Sequence, residues 1–337
     1  MKKHTITDVA ELAGVSIKTV SRVINQEPNV RPSTHSKVSQ AIAELNYRPS
    51  ISARSLAGNR SYLLALLYDN PSASYVTDIQ SGVLQTCRAQ NYEVLIHPCE
   101  YQDPALEKNI TDLVHNSRVD GLILTPPLTD SRPLLELMKR LDIPYVLISP
   151  SSNSVFEWAV GTNDQAICSE MVQHLCGLGH RRIAFILGHP DHSALANRYA
   201  GYQEGLKACG LKVSKQLCVQ GFNSFESGEQ CARKLLKLKQ PPTAIFACND
   251  DMAAGAMKVA HELGLDVPGQ LSVAGFDDIP LASQIWPSLT TVKQPIQKMG
   301  EVAAELLLRR FRQQSAEKFE RITKSQIVVR DSTGPAP

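Results

Sequence analysis

The sequence predicts a small all-α unit at the N-terminus, followed by an α/β body of two doubly wound parallel-sheet subdomains. A chain of 337 residues has room for roughly two or three domains, each with its own core. Residues 1–60 carry 9 Lys and Arg against 4 Asp and Glu, whereas residues 61–337 carry 26 against 29. From Tyr62 onward, short apolar runs alternate with helical patterns, as is typical of parallel sheets covered on both faces.

The composition excludes several classes of protein. Hydrophobic residues make up 43% and charged residues 20%, which is ordinary for a globular chain. The longest apolar runs, such as 62–68, are far shorter than the roughly 20 residues of a transmembrane helix, and no apolar signal region follows Met1. The 8 cysteines form no C-x-x-C pair, which argues against zinc binding and disulfide chemistry. We therefore expect a cytoplasmic protein without a metal or cofactor.

The first sixty residues predict a helix-turn-helix. Thr5-Ile6-Thr7-Asp8 has the spacing of a capping box, so a helix should begin there and end at Gly14. Ser16 can cap a second helix over 17–25, and a third helix fits 32–45 because Pro32 is favourable at a first helical position. The local basic charge suits a polyanion. We predict that residues 1–49 form a DNA-binding headpiece.

The exposed side of the second helix carries the candidate DNA contacts. Arg22 is best suited to a bidentate contact with guanine in a major groove. The DNA contacts predicted within the headpiece are Thr5, Ser16, Ile17, Lys18, Thr19, Ser21, Arg22, Asn25 and Asn29. One headpiece contacts too few bases for specific binding, so two copies on a palindromic site are expected.

The run over residues 6–25, with Ala13-Gly14-Val15-Ser16 and Ser21-Arg22-Val23, closely resembles the headpiece of the lactose-repressor (LacI/GalR) family of bacterial transcription regulators. Later segments resemble the family in order, among them Leu178-Gly179-His180-Arg181-Arg182-Ile183, Asn249-Asp250 and Gly275-Phe276-Asp277-Asp278. The resemblance implies a body similar to periplasmic binding proteins. It also implies a dimeric transcription regulator, a repressor, controlled by a small-molecule effector such as a sugar in the cleft between the subdomains.

Residues 50–60 separate the headpiece from the body. The segment 50–57 is too short to form a stable isolated helix in water. The resemblance implies a hinge helix that folds on DNA, with Ala53 at the minor groove and Leu56 wedged between base steps, and Arg54 is a further predicted DNA contact. A linker in which Leu56 packs on the body is the alternative.

The resemblance implies that the chain crosses between the subdomains three times, near residues 161, 292 and 322. The N-terminal effector-binding subdomain then comprises 61–161 and 293–322. The C-terminal effector-binding subdomain comprises 162–292 and 323–331.

Polar residues follow several predicted strands, which is where ligands of parallel sheets bind. The residues at such positions include Asp69, Thr125, Ser149, Asn249 and Asp277. Asp and Asn after a strand are also common helix caps, so both interpretations stay open for any one of them. Their convergence predicts a polar cleft between two sheets.

The positions that match the effector site of the resembled family are Arg198, Asn249, Asp277 and Gln294. A guanidinium facing a carboxylate suits a polyhydroxylated ligand, because sugar hydroxyls both donate and accept hydrogen bonds. Tyr75 and Phe222 are candidate apolar faces for a sugar ring, with a core or lid role equally open for Phe222. His192 stands where purine-binding members place an arginine, which disfavours a purine effector.

Catalytic functions are the alternatives. Gly177-Leu178-Gly179 suggests a dinucleotide site, but no third glycine follows and the segment precedes a predicted strand. His189 and His192 lie in a predicted loop without a third metal ligand, so a cleft-lining role is favoured. The sequence has no P-loop or nucleophile-elbow motif. We predict no catalytic residue, and a sugar-processing enzyme or a sugar-binding protein on the same fold is the alternative.

The end of the sequence bears on assembly. Family members that form tetramers carry a leucine-rich helical tail, whereas residues 332–337 contain two prolines and a glycine. Such a segment cannot form a coiled coil, so we expect a homodimer. Ile285 and Trp286 are candidate interface residues, and burial in a subdomain core is the alternative.

Overall fold

The computed structural model of the protein describes residues 4–24, 30–47, 60–151, 157–192, 195–316 and 320–337. The chain divides into two compact units, Met1–Tyr62 and Leu63–Pro337. Five of the predicted DNA contacts lie outside the described residues: Asn25, Asn29, Ala53, Arg54 and Leu56.

The described helices of the first unit are α1 (Ile6–Ala13), α2 (Ile17–Ile24) and α3 (Pro32–Glu44). The predicted capping box begins α1, because the Thr5 backbone N–H donates to Asp8 Oδ2 at 2.6 Å and the Thr5 hydroxyl accepts from the Asp8 amide. Gly14 ends α1 in the left-handed conformation at φ 62°. The small core of this unit contains Val9, Ala10, Val20, Val23, Val38, Ala41 and Tyr47.

The second unit contains two sheets. The strands of the first are β1 (Leu63–Tyr68), β2 (Glu93–Pro98), β3 (Gly121–Leu124), β4 (Tyr145–Ile148), β5 (Ala159–Thr162) and β11 (Ile322–Thr323). Their order is β11-β5-β4-β3-β1-β2, and every neighbouring pair is parallel. The helices with this sheet are α4 (Ala73–Ala89), α5 (Leu106–Ser117), α6 (Arg132–Arg140) and α12 (Ile296–Phe311). Its central strands are apolar throughout because helices cover both faces.

The second sheet repeats this plan. Its strands are β6 (Ile183–Leu187), β7 (Cys218–Gln220), β8 (Ala244–Ala247), β9 (Ser272–Asp277), β10 (Thr290–Lys293) and β12 (Gln326–Val328). Their order is β12-β10-β9-β8-β6-β7, and β12 alone among these strands runs antiparallel to its neighbour. The accompanying helices are α7 (Asp164–Gly177), α8 (Leu195–Ala208), α9 (Phe225–Leu236), α10 (Asp250–Glu262) and α11 (Pro280–Gln284). Short 3-10 helices occur at Leu128–Asp130 and Lys215–Leu217.

The chain passes between the sheets three times, after Thr162, after Lys293 and after Thr323. Each of these residues is the last of its strand and still pairs with a neighbouring strand, one residue beyond the predicted boundaries at 161, 292 and 322. The division into subdomains at these boundaries stays a prediction. Beyond residue 331, the C-terminal segment packs on the second sheet, where Gly334 N–H donates to Ser272 Oγ at 3.0 Å.

Helices α4 and α12 cross closely on the first sheet. Gly82 of α4 faces the backbone of Gln297 in α12, where a Cβ atom would collide with the carbonyl oxygen. The close approach of the two helices requires a glycine at this position, whereas its backbone φ angle does not.

The predicted fold class is confirmed: an all-α helix-turn-helix unit is followed by an α/β body with two doubly wound, almost wholly parallel sheets. Among the helices that the structure describes, none has the length and hydropathy to span a bilayer. All eight cysteines are free thiols.

Candidate functional site

A polar cavity lies where the carboxyl ends of the strands of the two sheets face each other. This is the place where ligands of parallel sheets bind. The side of the first sheet contributes Asn70, Ser72, Tyr75, Pro126 and Ser149 to the wall. The side of the second sheet and its crossing segments contribute Asp164, His192, Leu195, Arg198, Asn223, Asn249, Asp277 and Gln294.

Arg198, near the start of α8, is the buried centre of this wall. Its Nε donates to Asp164 Oδ2 at 2.9 Å, and its Nη1 donates to the Cys248 carbonyl and lies 3.6 Å from Asp277 Oδ1. The guanidinium stacks 3.7 Å from the centre of the Phe276 ring. Burial lowers the pKa of Arg198, but the carboxylates of Asp164 and Asp277 outweigh that effect and raise it. The guanidinium is therefore charged and fixed in direction.

Asp277 ends β9 with its side chain in the cavity. Gln294 Nε2 donates to Asp277 Oδ1 at 2.6 Å. Burial raises the pKa of Asp277 to about 7, although Arg198 and the bond from Gln294 act in the opposite direction. Its backbone has a φ of 114°, which is strained for a residue other than glycine and occurs preferentially at functional sites.

Tyr75 and His192 are buried and uncharged near neutral pH. Burial raises the pKa of the Tyr75 hydroxyl, and nearby Asp277 raises it further. Burial, together with the neighbouring His189, lowers the pKa of His192 to about 4. Next to this wall, Gln102 Nε2 donates to Asp191 Oδ2 at 2.9 Å, which links the loop after β2 to the loop after β6.

Two buried oxygen atoms on the wall have no hydrogen-bond partner within the described residues. They are Ser149 Oγ and Asp164 Oδ1. Ser149 follows β4 with a left-handed φ of 49°, and Asp164 is the first residue of α7. Both side chains have donor or acceptor capacity that a ligand in the cavity would use.

Seven of the ten predicted effector contacts line the cavity: Tyr75, Ser149, His192, Arg198, Asn249, Asp277 and Gln294. Asn249 also has a structural task, because its Oδ1 accepts from Met252 N–H and caps α10. The possibility of a helix cap, left open by the sequence, therefore applies to this residue together with its place on the wall.

Three predicted contacts lie elsewhere. Asp69 Oδ2 accepts from the Tyr101 backbone N–H at 2.8 Å, so its carboxylate is directed into the loop after β2. Thr125 is buried behind the wall with its hydroxyl near the Leu67 carbonyl at 3.4 Å. Phe222 is 50% exposed and contacts His189 edge-on, 5.6 Å between ring centres, outside the cavity lining.

Several residues of the wall were not among the predicted effector contacts: Asn70, Ser72, Pro126, Asp164, Leu195 and Asn223. Asn70 and Pro126 each follow a predicted contact by one residue, so the strand-end signal was present but displaced by one position. Asp164 had no sequence signal as a contact, since its bond to Arg198 joins residues 34 positions apart.

The headpiece presents its predicted contacts along the exposed side of α2. Ser16, Ile17, Lys18 and Arg22 are exposed, and Ile17 keeps 48% of its surface accessible although it is apolar. Ser16 Oγ accepts from the Thr19 backbone N–H at 3.2 Å, which caps α2, and pairs with the Thr19 hydroxyl at 2.9 Å. Thr5 is exposed and engaged in the α1 capping box. Ser21 is half-buried.

His189 and His192 were considered as a metal pair in the sequence. Their rings lie 5.5 Å apart between centres, and His189 Nδ1 accepts from the Asp191 backbone N–H at 3.2 Å. Within the described residues, no group of three potential ligands stands close enough to hold a metal ion.

Comparisons with known proteins agree with this architecture. Residues 5–50 match the model for bacterial regulatory proteins of the lacI family, and residues 172–333 match a periplasmic binding protein-like domain. The chain is 34% identical to the HTH-type transcriptional regulator DegA of Bacillus subtilis (strain 168), over 99% of each protein. It is 34% identical to the ribose operon repressor of Escherichia coli (strain K12), over 92% of this chain and 93% of that protein.

Solved structures are similar over nearly the whole chain. The lac repressor dimer bound to operator and the anti-inducer ONPF has 31% identity and a TM-score of 0.79, covering 99% of this chain and 100% of that chain. The complex of the transcriptional regulator CelR with cellobiose has 29% identity and a TM-score of 0.75, covering 98% and 99%. The resemblance found in the sequence is thus confirmed, and the chain belongs to the lacI family of bacterial regulatory proteins.

Proposed function

We propose that this protein is a sequence-specific DNA-binding repressor that binds a palindromic operator as a homodimer and responds to a small polyhydroxylated effector. The observation that carries the proposal is the buried Arg198 and Asp277 pair, whose cavity is walled by segments of both sheets. Hydroxyls can donate to Asp277 and accept from Arg198 at once, which is the pattern that a sugar offers. The ribose operon repressor and the CelR–cellobiose complex are relatives whose names refer to sugars.

Operator recognition is assigned to the headpiece. The exposed residues Ser16, Ile17, Lys18 and Arg22 along one side of α2 suit a major groove, where Arg22 would read a guanine. The segment over residues 50–60 is proposed as the hinge, with Leu56 as a wedge in the minor groove. That part of the proposal rests on the sequence resemblance alone.

Assembly through the second sheet's helices is supported by an exposed apolar groove. It runs between α9, α10 and the segment after α11, and Trp286 at its edge is 91% exposed. Lys258 and Glu229, 2.7 Å apart, belong to a cluster of ion pairs beside it. A solvent-exposed tryptophan over an apolar groove with a charged rim has the composition of a protein interface. We propose a second copy of this chain as the occupant, like the dimer of the related lac repressor.

We further propose that the protein is not an enzyme. It acts in the cytoplasm and is associated with the nucleoid when it is bound to operator. The relatives DegA and the ribose operon repressor are transcriptional regulators by name. We expect mass spectrometry to recover each bound sugar unchanged after prolonged incubation with the protein. Conversion of the sugar would contradict this assignment.

The central test is operator binding with and without sugars. An operator selected from random DNA by the purified full-length protein is titrated by fluorescence anisotropy in the presence of D-ribose, D-glucose, D-galactose or cellobiose. At least one sugar should change the operator affinity tenfold or more, an effect of about 1.4 kcal/mol. The isosteric Asp277→Asn variant should bind operator as the natural protein does and lose the response. Equal responses in both proteins would remove Asp277 from the effector site.

A second arm tests the headpiece. Arg22→Ala should weaken specific binding by about 1–3 kcal/mol while changing binding to random DNA much less. Equal losses on both DNAs would limit Arg22 to a phosphate contact.

A further inference from the structure

Two orphaned oxygens face one cavity from opposite sides. Ser149 Oγ belongs to the side of the first sheet and Asp164 Oδ1 to the side of the second. Buried polar atoms without a partner are rare, and each costs free energy unless something completes its hydrogen bonding. Asp164 is only 4% exposed, so bulk water does not relieve it. Because both oxygen atoms face the same cavity, a single ligand bound there could reach both of them.

Asp164 is held in a fixed orientation. Its Oδ2 accepts from Arg198 Nε at 2.9 Å, and its backbone begins α7. Because the second oxygen is committed to the guanidinium, the side chain cannot turn to find another partner for Oδ1. An ionised carboxylate is an acceptor only, so the missing partner is a donor.

The wall offers no unpaired positive charge to a ligand. Arg198 is the one permanently charged cation among the described lining residues, and Asp164 and Asp277 both lie against it. His192 adds no positive charge above its pKa of about 4. Asp250 and Asp251, at the start of α10, are not counted as negative charge, because burial raises the pKa of both. The guanidinium is paired with the Asp164 carboxylate, and with Asp277 once that side chain ionises above its pKa of about 7, so it has little attraction left for an anionic ligand.

We propose that Asp164 determines the specificity of the cleft: its Oδ1 accepts a hydrogen bond from an effector hydroxyl, and its charge restricts the effector to a polyol without an acidic group. The inference rests on the proposed function, because it needs a polyhydroxylated ligand in the cavity. Sugar phosphates and uronates are rejected, since they bring an anion beside the Asp164 carboxylate in a buried site.

The test uses matched pairs of sugars that differ in charge. Calorimetry measures binding of D-glucose against D-glucose 6-phosphate and D-glucuronate, and of D-ribose against D-ribose 5-phosphate. The full-length natural protein should bind the neutral member of a pair about tenfold or more tightly than its acidic partner. Asp164→Asn keeps the shape and the acceptor for Arg198 and removes the charge. This variant should reduce the ratio of neutral-sugar affinity to acidic-sugar affinity by about tenfold or more.

Asp112→Asn is the matched control, because Asp112 is exposed on α5 and makes no part of the cavity wall. It removes the same charge and should leave the ratio unchanged. Operator affinity without sugar reports that each variant is folded, and Asp164→Ser supplies a second neutral variant if Asn is not tolerated at the start of α7.

The outcomes separate the two proposals. A sugar that binds and changes operator affinity, with a neutral-to-acidic ratio unaffected by Asp164→Asn and Asp164→Ser, would overturn the role of Asp164 and leave the proposed function standing. A preference of the natural protein for a phosphate or uronate would also overturn it. No binding by either member of any pair would overturn the polyol assignment itself, and with it this inference.

Discussion

Asp277→Asn should make the protein more stable at alkaline pH while abolishing its effector response. Burial raises the pKa of Asp277 to about 7 from an ordinary value of 3.8. The native state therefore binds more protons than the unfolded chain between about pH 4 and 7, and the contribution of Asp277 to stability falls as pH rises through that window. Asparagine resembles the protonated acid, still accepts from Gln294, and has no such titration.

The magnitude follows from the width of that window. Between pH 5 and pH 7, about two pH units at 1.36 kcal/mol each give about 2.7 kcal/mol. Above pH 7 both states are ionised and the difference levels off. The unfolding free energy of Asp277→Asn, relative to the natural protein, should thus grow by about 2–3 kcal/mol from pH 5 to pH 8.

His192 titrates in the opposite sense, and the comparison removes its effect. Its native pKa of about 4 lies below the ordinary 6.5, so the unfolded chain binds more protons between these values and stability rises with pH there. Both proteins keep His192, so its contribution cancels in the difference between them.

Urea denaturation at one fixed protein concentration, followed by tryptophan fluorescence and circular dichroism at pH 5, 6, 7 and 8, measures the difference. A difference that stays flat or shrinks as pH rises would refute the reasoning, since it would mean that Arg198 keeps Asp277 ionised like an ordinary salt bridge. Gain of stability with loss of function is expected of a site whose polar groups serve a ligand.

Further predictions concern the buried cation, a helix crossing and the apolar groove. Arg198→Met leaves the buried Asp164 carboxylate without its cation and should cost about 3–5 kcal/mol of unfolding free energy in urea; a loss below about 1 kcal/mol would contradict the burial of this network. Gly82→Ala should push α4 away from α12 and lower the free energy of unfolding by about 1–3 kcal/mol. The control Gly177→Ala has open space at its Cβ and should leave the free energy of unfolding nearly unchanged. Trp286→Asp should convert a dimer near twice 37.0 kDa to monomer in sedimentation equilibrium, and an unchanged mass would place the interface elsewhere.

The strands that were predicted well are those whose burial leaves a simple pattern. Runs at Leu63–Tyr68 and Gly121–Leu124 are apolar without interruption because helices cover both faces of the sheet. The short strands Ile322–Thr323 and Gln326–Val328 lie at the sheet edges, and Ile322 is 53% exposed. Two or three residues on an edge give no periodicity to detect, so the third crossing of the chain, like the other two, was predicted from the family resemblance.

The residues of the cleft were predictable where their place in the chain, directly after a parallel strand, brings the side chain to the cavity. Other residues of the cleft were harder to predict. Residues after parallel strands converge whatever the helices do, which is why Ser149, Asn249 and Asp277 all reach the cavity. The direction of each side chain depends on the next few dihedral angles, and Asp69 turns toward the Tyr101 amide instead. An aspartate at the start of a helix is explained by the helix dipole alone, so nothing in the sequence marked Asp164 as the partner of a distant arginine.

The positions of the two orphaned oxygens suggest how effector binding is coupled to the relative setting of the two sheets in the proposed regulator. Ser149 and Asp164 are carried by different sheets, and they face the same cavity only while the sheets keep their present setting. A ligand shifts an equilibrium between arrangements only by its difference in affinity for them. A polyol long enough to reach both oxygens has that difference, because it gains one hydrogen bond from each side only in this setting. A shorter polyol that bonds to Arg198 and Asp277 alone stays on the second sheet's side, binds equally in both arrangements and should leave operator affinity unchanged.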